Sequence, residues 1–468
     1  MSAQSRPPVV SRTCGRRESD EPPGAYRSEE EDMRRIEVTP SAKRLVTSLR
    51  SIGHSPPTAI ADLIDNSVSA GASVVQVRID QTDAGWRILI ADDGTGIRDR
   101  DLDEAMRFGT RRGYGASDLG RFGLGLKTAS TSLGRKVTVV TRTAPSYRRL
   151  RSRVLDLDHI DSTDRWEILD GRGSRAERIA GDHYLDRAPG TVVVIEALDR
   201  VFTGIEGPDG PGGKHRMTSI RKKVSFHLRM VFHRLLEDGR LVIGVNGRAL
   251  DPCDPFALTM AAVVTRPEKR IRVFSGDAHQ EVMFRPYILP ARHELEATEE
   301  LSAEEVFKDL GGPSHWNRQQ GFYIYRGDRM IQSGGWCGLR AIDEHTKLAR
   351  VALDFSPDLD ALFSVDIAKM RATLPSEVRS ALEIPVHELC RGADEKYRAG
   401  APGDVADLAP GLRTPDLDRV ARMLHMAAFR SKNKVAYDEI LAVVAETDPD
   451  LAGQLGWKDT DGTIRQVS

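Results

Sequence analysis

The sequence predicts an α/β protein whose first region has two layers, with helices packed on one face of a mixed β-sheet. Three observations lead to this prediction. Val74–Ile79 alternates apolar and polar residues like a half-buried strand, and Trp86–Ala91 can pair with it as a hairpin. Ser41–Ile52 places its apolar residues at helical spacing. A strand-like run at Leu241–Gly247, ending in a tight Asn-Gly turn, begins a second α/β region.

The remainder of the first region is expected to contain more strands, a loop and a long helix. Gly204–Gly213 is rich in glycine and proline, which predicts a flexible loop. Ser219–Leu236 carries an apolar stripe at helical spacing, which predicts a helix. The further strands are expected at Lys136–Arg142, Arg148–Asp156 and Thr191–Glu196.

The second region is expected to contain a strand and turn at Gly321–Arg329, a strand at Leu348–Phe355 and a helix from Ser376 to about Tyr397. Composition predicts disorder or a linker where large apolar residues are scarce. The expected order is therefore a disordered arm (1–36), a first domain (37–238), a second domain (239–396), a linker (397–413) and a small helical region (414–468).

Composition narrows the class of protein. The chain has 468 residues, enough for roughly two or three domains, and its 40% hydrophobic and 29% charged residues suit a globular protein. The 68 basic and 69 acidic residues nearly cancel, so any nucleic-acid binding must come from local patches. The four cysteines form no CxxC pair, which argues against a zinc module and suits a reducing cytoplasm. No apolar run approaches the roughly 18 residues of a membrane span, and the N-terminus has no apolar signal core.

Ala59–Gly71 (AIADLIDNSVSAG) is the first stretch with possible chemistry. As a helix it places Asp62 and Asn66 on one face, because they are four residues apart. A carboxylate and an amide on one face can hold a water molecule and a metal ion, and the Asn66 amide oxygen suits Mg²⁺. The alternative is an ordinary surface helix, since this spacing is common.

Asp92 is the second candidate, because it ends a predicted strand and precedes Gly94 and Gly96. The glycines permit a tight turn and the close approach of a ligand. A carboxylate at a buried strand end can accept a hydrogen bond from an exocyclic amine. The alternative is a residue that forms an Asx-turn in a hairpin. Thr191 opens another apolar strand and is a candidate because its hydroxyl can contact a ligand or a water molecule. The alternative is an ordinary β-branched residue of a strand.

A glycine-rich run, Gly113–Gly125, leads into a predicted helix. Backbone N–H groups at such a helix start can face phosphate oxygens, and Lys127 adds a point charge. No GxxxxGK[ST] pattern occurs, so this is not a Walker loop. The alternative is a surface loop. The candidate binding residues in this segment are Gly120, Phe122, Gly123, Leu124, Gly125, Leu126 and Lys127.

Taken in chain order, four stretches resemble the nucleotide site of the GHKL ATPases, which include gyrase B, MutL, the large heat-shock chaperones, histidine kinases and MORC proteins. The four stretches are Ala59–Gly71, Arg87–Ile97, Phe108–Ser130 and Gly190–Ile195. The resemblance implies an α+β two-layer sandwich of the GHKL (Bergerat) type that binds ATP and Mg²⁺. It implies that Asp92 and Thr191 recognise adenine, that Asn66 holds the metal, and that the glycine-rich segment is a mobile lid.

The resemblance also aligns Asp62 with the general base that orients the attacking water. The family residue is usually Glu, and Asp loses about 1.3–1.5 Å of reach. Ser69 replaces an Asp that is common in this motif. Both departures predict slow turnover without loss of binding.

The second region resembles the transducer domain of this class, in its MORC version, and the whole resemblance covers roughly residues 37–396. It implies that Lys369, in Val365–Lys369, reaches the γ-phosphate from the second domain. The alternative is an ordinary solvated lysine.

Local basic clusters are the candidates for DNA binding. Gly213–Arg234 holds seven Lys or Arg residues and no acid, which could neutralise phosphates. The alternative is a solvated helix face. The residues of the two clusters are Lys214, Arg216, Arg221, Lys222, Lys223, Arg229 and Arg234, and Arg148, Arg149, Arg151 and Arg153.

The resemblance to MORC and MutL proteins implies a cytoplasmic ATPase that forms a homodimer on binding ATP and clamps or remodels DNA, in a restriction or phage-defence setting. A second hypothesis is a non-hydrolysing switch that sets the conformation of a scaffold for a protein partner, which Asp62 favours. A third is a protein-folding chaperone, against which stands the lack of a long segment after the transducer region.

Overall fold

The computed structural model describes residues 38–51, 55–108, 125–143, 149–186, 188–205, 207–275, 278–295, 302–312, 315–364 and 372–399, and also 439, 442, 443, 446 and 447. Two mixed β-sheets and the helices around them organise this part of the chain. The predicted arm at 1–36 lies outside the described residues, as do nearly all of the predicted linker and C-terminal region.

The first sheet has eight strands in the order β5-β4-β3-β6-β2-β1-β7-β8. Its strands are β1 Val74–Thr82, β2 Gly85–Asp92, β3 Lys136–Arg142, β4 Arg151–Asp156, β5 Leu169–Asp170, β6 Gly190–Glu196, β7 Val242–Val245 and β8 Arg248–Ala249. β1 and β2 form the predicted antiparallel hairpin, whereas β1 and β7 run parallel. The strands predicted at 136–142 and 191–196 are confirmed to within one residue.

Within the described ranges, eight helices accompany this sheet: α1 Ala42–Leu49, α2 Pro56–Ser69, α3 Asp99–Met106, α4 Gly125–Leu133, α5 Leu157–Thr163, α6 Arg175–His183, α7 Pro211–Val231 and α8 His233–Glu237. Helix α2 begins with prolines, whose fixed φ suits the first helical turn. It contacts α4 and α7, and its Ile60 and Ile64 are fully buried in the main core against the sheet.

The opposite face of the first sheet is also covered, in part, which the sequence did not predict. Ala176 and Ala180 of α6 pack on Leu89, Val192 and Val194 in a second apolar cluster. Strand β6 is therefore apolar on both faces, and it reads as a continuous hydrophobic run. The first region has a partial third layer in addition to the two predicted.

The helix predicted after the loop at 204–213 begins earlier than expected, so the last residues of that loop belong to the helix. The indole N–H of Trp86 donates to the carbonyl of Pro208 at 3.0 Å, which anchors the loop. Helix α7 then begins at Pro211, eight residues before the predicted start, because proline is favourable in a first turn. The single predicted helix is interrupted at Phe232, where ψ is 14°, and α8 follows.

The second sheet has five strands in the order β10-β11-β14-β12-β13, and a sixth, β9, pairs with β11. The strands are β9 Val264–Thr265, β10 Lys269–Ser275, β11 Ala278–Ile288, β12 Gly321–Arg326, β13 Arg329–Ser333 and β14 Ala349–Phe355. The helices are α9 Ala303–Gly311, α10 Trp316–Gln319 and α11 Ser376–Ala399. The strand–turn at 321–329, the strand at 348–355 and the helix from Ser376 agree with their predictions.

Helix α7 joins the two sheets. Its Met217, Ile220 and Val224 are buried in the core of the first sheet. Near its end, Met230 instead packs with aromatic residues of the second sheet, Tyr325 among them. None of the helices among the described ranges is long and apolar enough to cross a membrane.

Candidate functional site

A hydrogen bond joins the end of strand β2 to helix α2. The hydroxyl of Ser67 donates to Oδ2 of Asp92 at 2.8 Å. Because α2 also carries Asp62 and Asn66, this bond brings the predicted strand-end carboxylate and the predicted helical pair into one site. The helical pattern places Ser67 on the apolar face and gives no sign of this bond, so the sequence missed its role.

Asp92 is held by three donors and still has room for one more. Its Oδ1 accepts the backbone N–H groups of Gly94 at 3.0 Å and Thr191 at 3.1 Å, and Oδ2 accepts Ser67. A carboxylate offers about four lone-pair sites, so Oδ2 keeps one acceptor position. Burial raises the pKa of Asp92, although these three bonds oppose the rise. A donor from a ligand would favour the ionised form further.

Two glycines let the turn after Asp92 lie directly against its neighbouring strands. Gly96 has φ of 72°, and a Cβ there would lie 2.1 Å from the carbonyl oxygen of Arg142. Gly190 has φ of 153°, and its Cβ would lie 2.1 Å from the carbonyl oxygen of Asp92. No larger residue fits at either position without movement of the backbone. The glycines are therefore required to assemble this corner of the sheet.

Thr191 pairs with Asp92 in the register of β2 and β6. Its hydroxyl is buried and lies 3.4 Å from the hydroxyl of Thr141. Thr141 donates to the carbonyl of Gly190 at 3.0 Å and accepts the N–H of Ile97 at 2.8 Å. Thr141 was not predicted as a site residue, but it fixes the turn to the start of β6.

Asp62 and Asn66 lie one turn apart on α2, as predicted. Asp62 is only 2% exposed, whereas Asn66 is half-buried. The Nδ2 atom of Asn66 is buried and has no hydrogen-bond partner among the described residues. The two ends of an amide are assigned from their neighbours, so either atom can be turned to this position. The amide of Asn66 therefore has hydrogen-bonding capacity that the described residues do not use.

The start of helix α4 holds the described part of the predicted phosphate-binding segment. Gly125 and Leu126 are half-buried in its first turn. The Nζ of Lys127 donates to the carbonyl of Ala105 in α3 at 3.0 Å. Burial lowers the pKa of Lys127 to about 8, and the charge of Glu104 partly opposes this. The lysine thus contacts a neighbouring helix in this structure.

Five of the predicted site residues lie outside the described ranges. They are Gly120, Phe122, Gly123, Leu124 and Lys369. Their assigned roles stay predictions.

Asp93 has a structural role that distinguishes it from Asp92. Its Oδ1 accepts the N–H groups of Ser73 and Val74, both at 2.8 Å, and its Oδ2 accepts the Ser73 hydroxyl at 2.6 Å. These bonds hold the start of β1. Desolvation raises the pKa of Asp93, but these bonds and one from its own backbone N–H outweigh that effect, so the pKa is lowered. The adjacent carboxylates therefore have different surroundings.

The basic run on α7 does not present a uniform charged face. Arg221 lies over the Trp86 ring at 5.6 Å. Arg234, at the end of the run, lies on α8, is 3.5 Å from the centre of the Tyr325 ring and pairs with Asp354. The exposed lysines of the run are Lys214, Lys222 and Lys223.

The second basic cluster lies beside acidic groups. Arg151 pairs with Asp99 at 3.1 Å, and Arg153 pairs with Asp103 at 2.6 Å. Arg148 is outside the described residues. Arg151 and Arg153 are therefore less available to phosphates than the exposed lysines of α7, whereas Arg149 is exposed.

Residues 54–191 match the family of histidine kinase-, DNA gyrase B- and HSP90-like ATPases. The matched segment is less than half of the chain, and it contains Asp62, Asn66, Asp92 and Thr191. The match supports the GHKL class that the motifs predicted, and with it ATP binding. No curated protein matches the chain. The closer likeness to MORC and MutL proteins stays a prediction.

Proposed function

We propose that this chain binds ATP at the corner formed by α2, β2 and β6, with the adenine amine donating to Asp92. The observation that carries this proposal is the remaining acceptor position on Oδ2 of Asp92, beside Ser67. Thr191 contacts the adenine ring through its buried hydroxyl or through a water molecule. The family match over this segment favours the same ligand.

Asn66 is the residue that would hold Mg²⁺ in this proposal. Magnesium typically takes one or two protein ligands and completes its shell with phosphate oxygens and water, so a single amide suffices. This fits the described residues, where no three His, Cys, Asp or Glu side chains gather as a metal site. A bound Mg²⁺ would neutralise phosphate charge. Asp62, one turn away, orients the attacking water and accepts its proton.

We also propose that the nucleotide controls assembly. Closure of the predicted glycine-rich lid over the triphosphate would offer a surface to a second copy of the chain, and Lys369 would contact the γ-phosphate. The exposed lysines of α7 would bind DNA phosphates, so the closed homodimer would clamp or remodel DNA. The restriction or phage-defence setting belongs to this proposal through resemblance alone.

A second candidate function is an ATP-dependent switch that does not hydrolyse its ligand and acts on a protein partner. The observation that favours it is Asp62, which is shorter than the usual Glu and is 2% exposed. A buried, short carboxylate reaches a water molecule less readily.

The experiment that separates the candidates measures ATP turnover with and without DNA, beside light scattering with ATP and a non-hydrolysable analogue. The clamp predicts slow turnover, a dimer with either nucleotide, and DNA binding that weakens with salt. A nucleotide-dependent change of state without turnover supports the switch. No binding of ATP contradicts both.

A further inference from the structure

A buried ion pair joins the nucleotide helix to the second sheet. Nε of Arg329, the first residue of β13, lies 3.1 Å from Oδ1 of Asp65 on α2. The two side chains are 5% and 0% exposed and are separated by 264 positions in the chain. Neither the helical pattern of α2 nor the strand–turn pattern of β12 and β13 predicts this contact.

The surroundings of the pair give it a fixed geometry. Arg329 also donates to the carbonyl of Met330 at 2.7 Å, and its guanidinium lies 5.8 Å from the centre of the Phe232 ring. Burial, followed by the positive charge of Arg329, lowers the pKa of His227 on α7 to about 4. His227 is therefore neutral at physiological pH and adds no competing charge. Three elements, α2, α7 and β13, meet at this junction.

The position of Asp65 on α2 gives the pair a consequence for the site. Asp65 precedes Asn66 directly and follows Asp62 by three residues, so the three side chains lie within little more than one turn of the same helix. A helix cannot rotate at one residue without carrying its neighbours. A change in the position of β13 must therefore move Asp62 and Asn66, or break a buried ion pair, which is strongly unfavourable.

We propose that the Arg329–Asp65 pair is a positioning contact through which the second sheet sets the orientation of Asp62 and Asn66. This inference rests on the proposed function, because it assigns those two residues to the water and to Mg²⁺. Arg329 is a positioning residue here, since it acts through Asp65 and α2. ATP binding would, by reciprocity, bias the position of the second sheet.

The chain contains a matched control for this proposal. Nε of Arg326 on β12 pairs with Oδ1 of Asp360 at 2.7 Å, and these side chains are 4% and 8% exposed. This pair has the same chemistry and nearly the same burial, but both residues belong to the second-sheet region. Asp65→Asn and Asp360→Asn therefore impose the same loss of charge beside a buried arginine.

The experiment compares these two variants with the unaltered chain. Unfolding temperature, turnover and ATP affinity are measured, the affinity with and without Mg²⁺. Both variants should lower the unfolding temperature. Only Asp65→Asn should lower turnover, by about tenfold, and remove most of the Mg²⁺-dependent gain in ATP affinity, while Mg²⁺-free affinity stays within about threefold.

A double variant, Asp65→Asn with Arg329→Gln, covers the case in which the single variant does not fold. It removes both charges, so it should recover the unfolding temperature but not the Mg²⁺-dependent gain. Equal effects of the Asp65 and Asp360 variants on that gain, or its full recovery in the double variant, would overturn this inference alone. An unaltered chain that does not bind ATP would overturn the proposed function and this inference together.

Discussion

Ser67 and Asp92 are 25 positions apart, and the hydroxyl of Ser67 donates a 2.8 Å hydrogen bond to Oδ2 of Asp92. The bond connects the helix that bears Asp62 and Asn66 to the strand end that faces Thr191. It also occupies one of the two acceptor positions on Oδ2. The orientation of the remaining position, which we assign to adenine, therefore depends on Ser67.

Ser67→Ala should weaken ATP binding by about tenfold, because the carboxylate of Asp92 loses the donor that orients it and favours its ionised form, and a misaligned hydrogen bond from adenine to that charged group forfeits part of roughly 1.5–3 kcal/mol. Isothermal calorimetry would measure the affinity. Ser132→Ala is the control, since Ser132 is a buried serine on α4 whose hydroxyl donates to Ala129 at 2.7 Å, away from Asp92. Equal affinities for the two variants would contradict the role of Ser67.

Much of the fold could be predicted because its signals are local. Apolar alternation located β1 and β2, and the Asn246-Gly247 turn has φ of 50° and 82° as a tight hairpin requires. Helix α7 was mispredicted for a tertiary reason. Its glycine-rich start resembles a loop by composition, but contacts with Trp86 anchor the preceding turn, and Pro211 begins the helix.

The sequence identifies candidate site residues where one residue type stands in a distinctive local pattern, and it does not identify contacts between distant residues. Asp92 stood out because a carboxylate followed by two glycines ends a strand. Ser67 and Thr141 did not, since a hydroxyl on a helix or strand has many ordinary explanations. The contact between Asp65 and Arg329 spans 264 positions, and nothing local to either residue reports the other.

The pKa of Lys127 gives a test of its contact with phosphate. Its value of about 8 in this structure reflects burial near Ala105. If the ammonium group moves to a phosphate, the negative charge should raise this pKa, so ATP binding should take up a proton near pH 8.5. Calorimetry in two buffers of different ionisation enthalpy measures that uptake.

Lys127→Met is the control for that measurement, and it should abolish the proton uptake. No difference between the buffers in the unaltered chain would mean that Lys127 keeps its contact with α3 when ATP binds.

Asp62→Ala should remove hydrolysis and leave ATP affinity within about twofold, because a general base contributes chiefly to the rate. Asp62→Glu restores the usual reach and should raise turnover. Because Asp62 is 2% exposed, the added methylene should also lower the unfolding temperature, as overpacking costs about 1–3 kcal/mol. Turnover assays beside thermal unfolding would measure both effects. Normal hydrolysis by Asp62→Ala would place the base elsewhere.

Reversal of Lys214, Lys222 and Lys223 to Glu should remove most DNA binding and spare ATP affinity. These side chains are exposed, whereas Arg221 holds Trp86 and is left unchanged. The matched control reverses three exposed basic residues elsewhere: Lys43, Arg44 and Arg100. A DNA titration at two salt concentrations would measure the difference. Equal loss in both triple variants would indicate an effect of net charge and not of this helix.

The adenine contact is tested most directly by calorimetric titration of ATP into Asp92→Asn and Asp93→Asn. In Asp92→Asn the new amide oxygen could still accept the N–H groups of Gly94 and Thr191, but the amide nitrogen would oppose the adenine amine. Burial raises the pKa of Asp92 in the folded chain above the value of about 3.9 expected in the unfolded chain. The ligand-free fold therefore loses stability as the pH rises from about 3.9 through the higher folded pKa, because the buried carboxyl group must ionise. Asp92→Asn should therefore unfold at an equal or higher temperature at neutral pH and bind ATP at least tenfold more weakly.

Asp93→Asn, which alters the carboxylate that holds Ser73 and Val74, should lose stability and keep its affinity for ATP once folded. Unchanged ATP affinity in Asp92→Asn, or an equal loss in both variants, would contradict the assignment of this site.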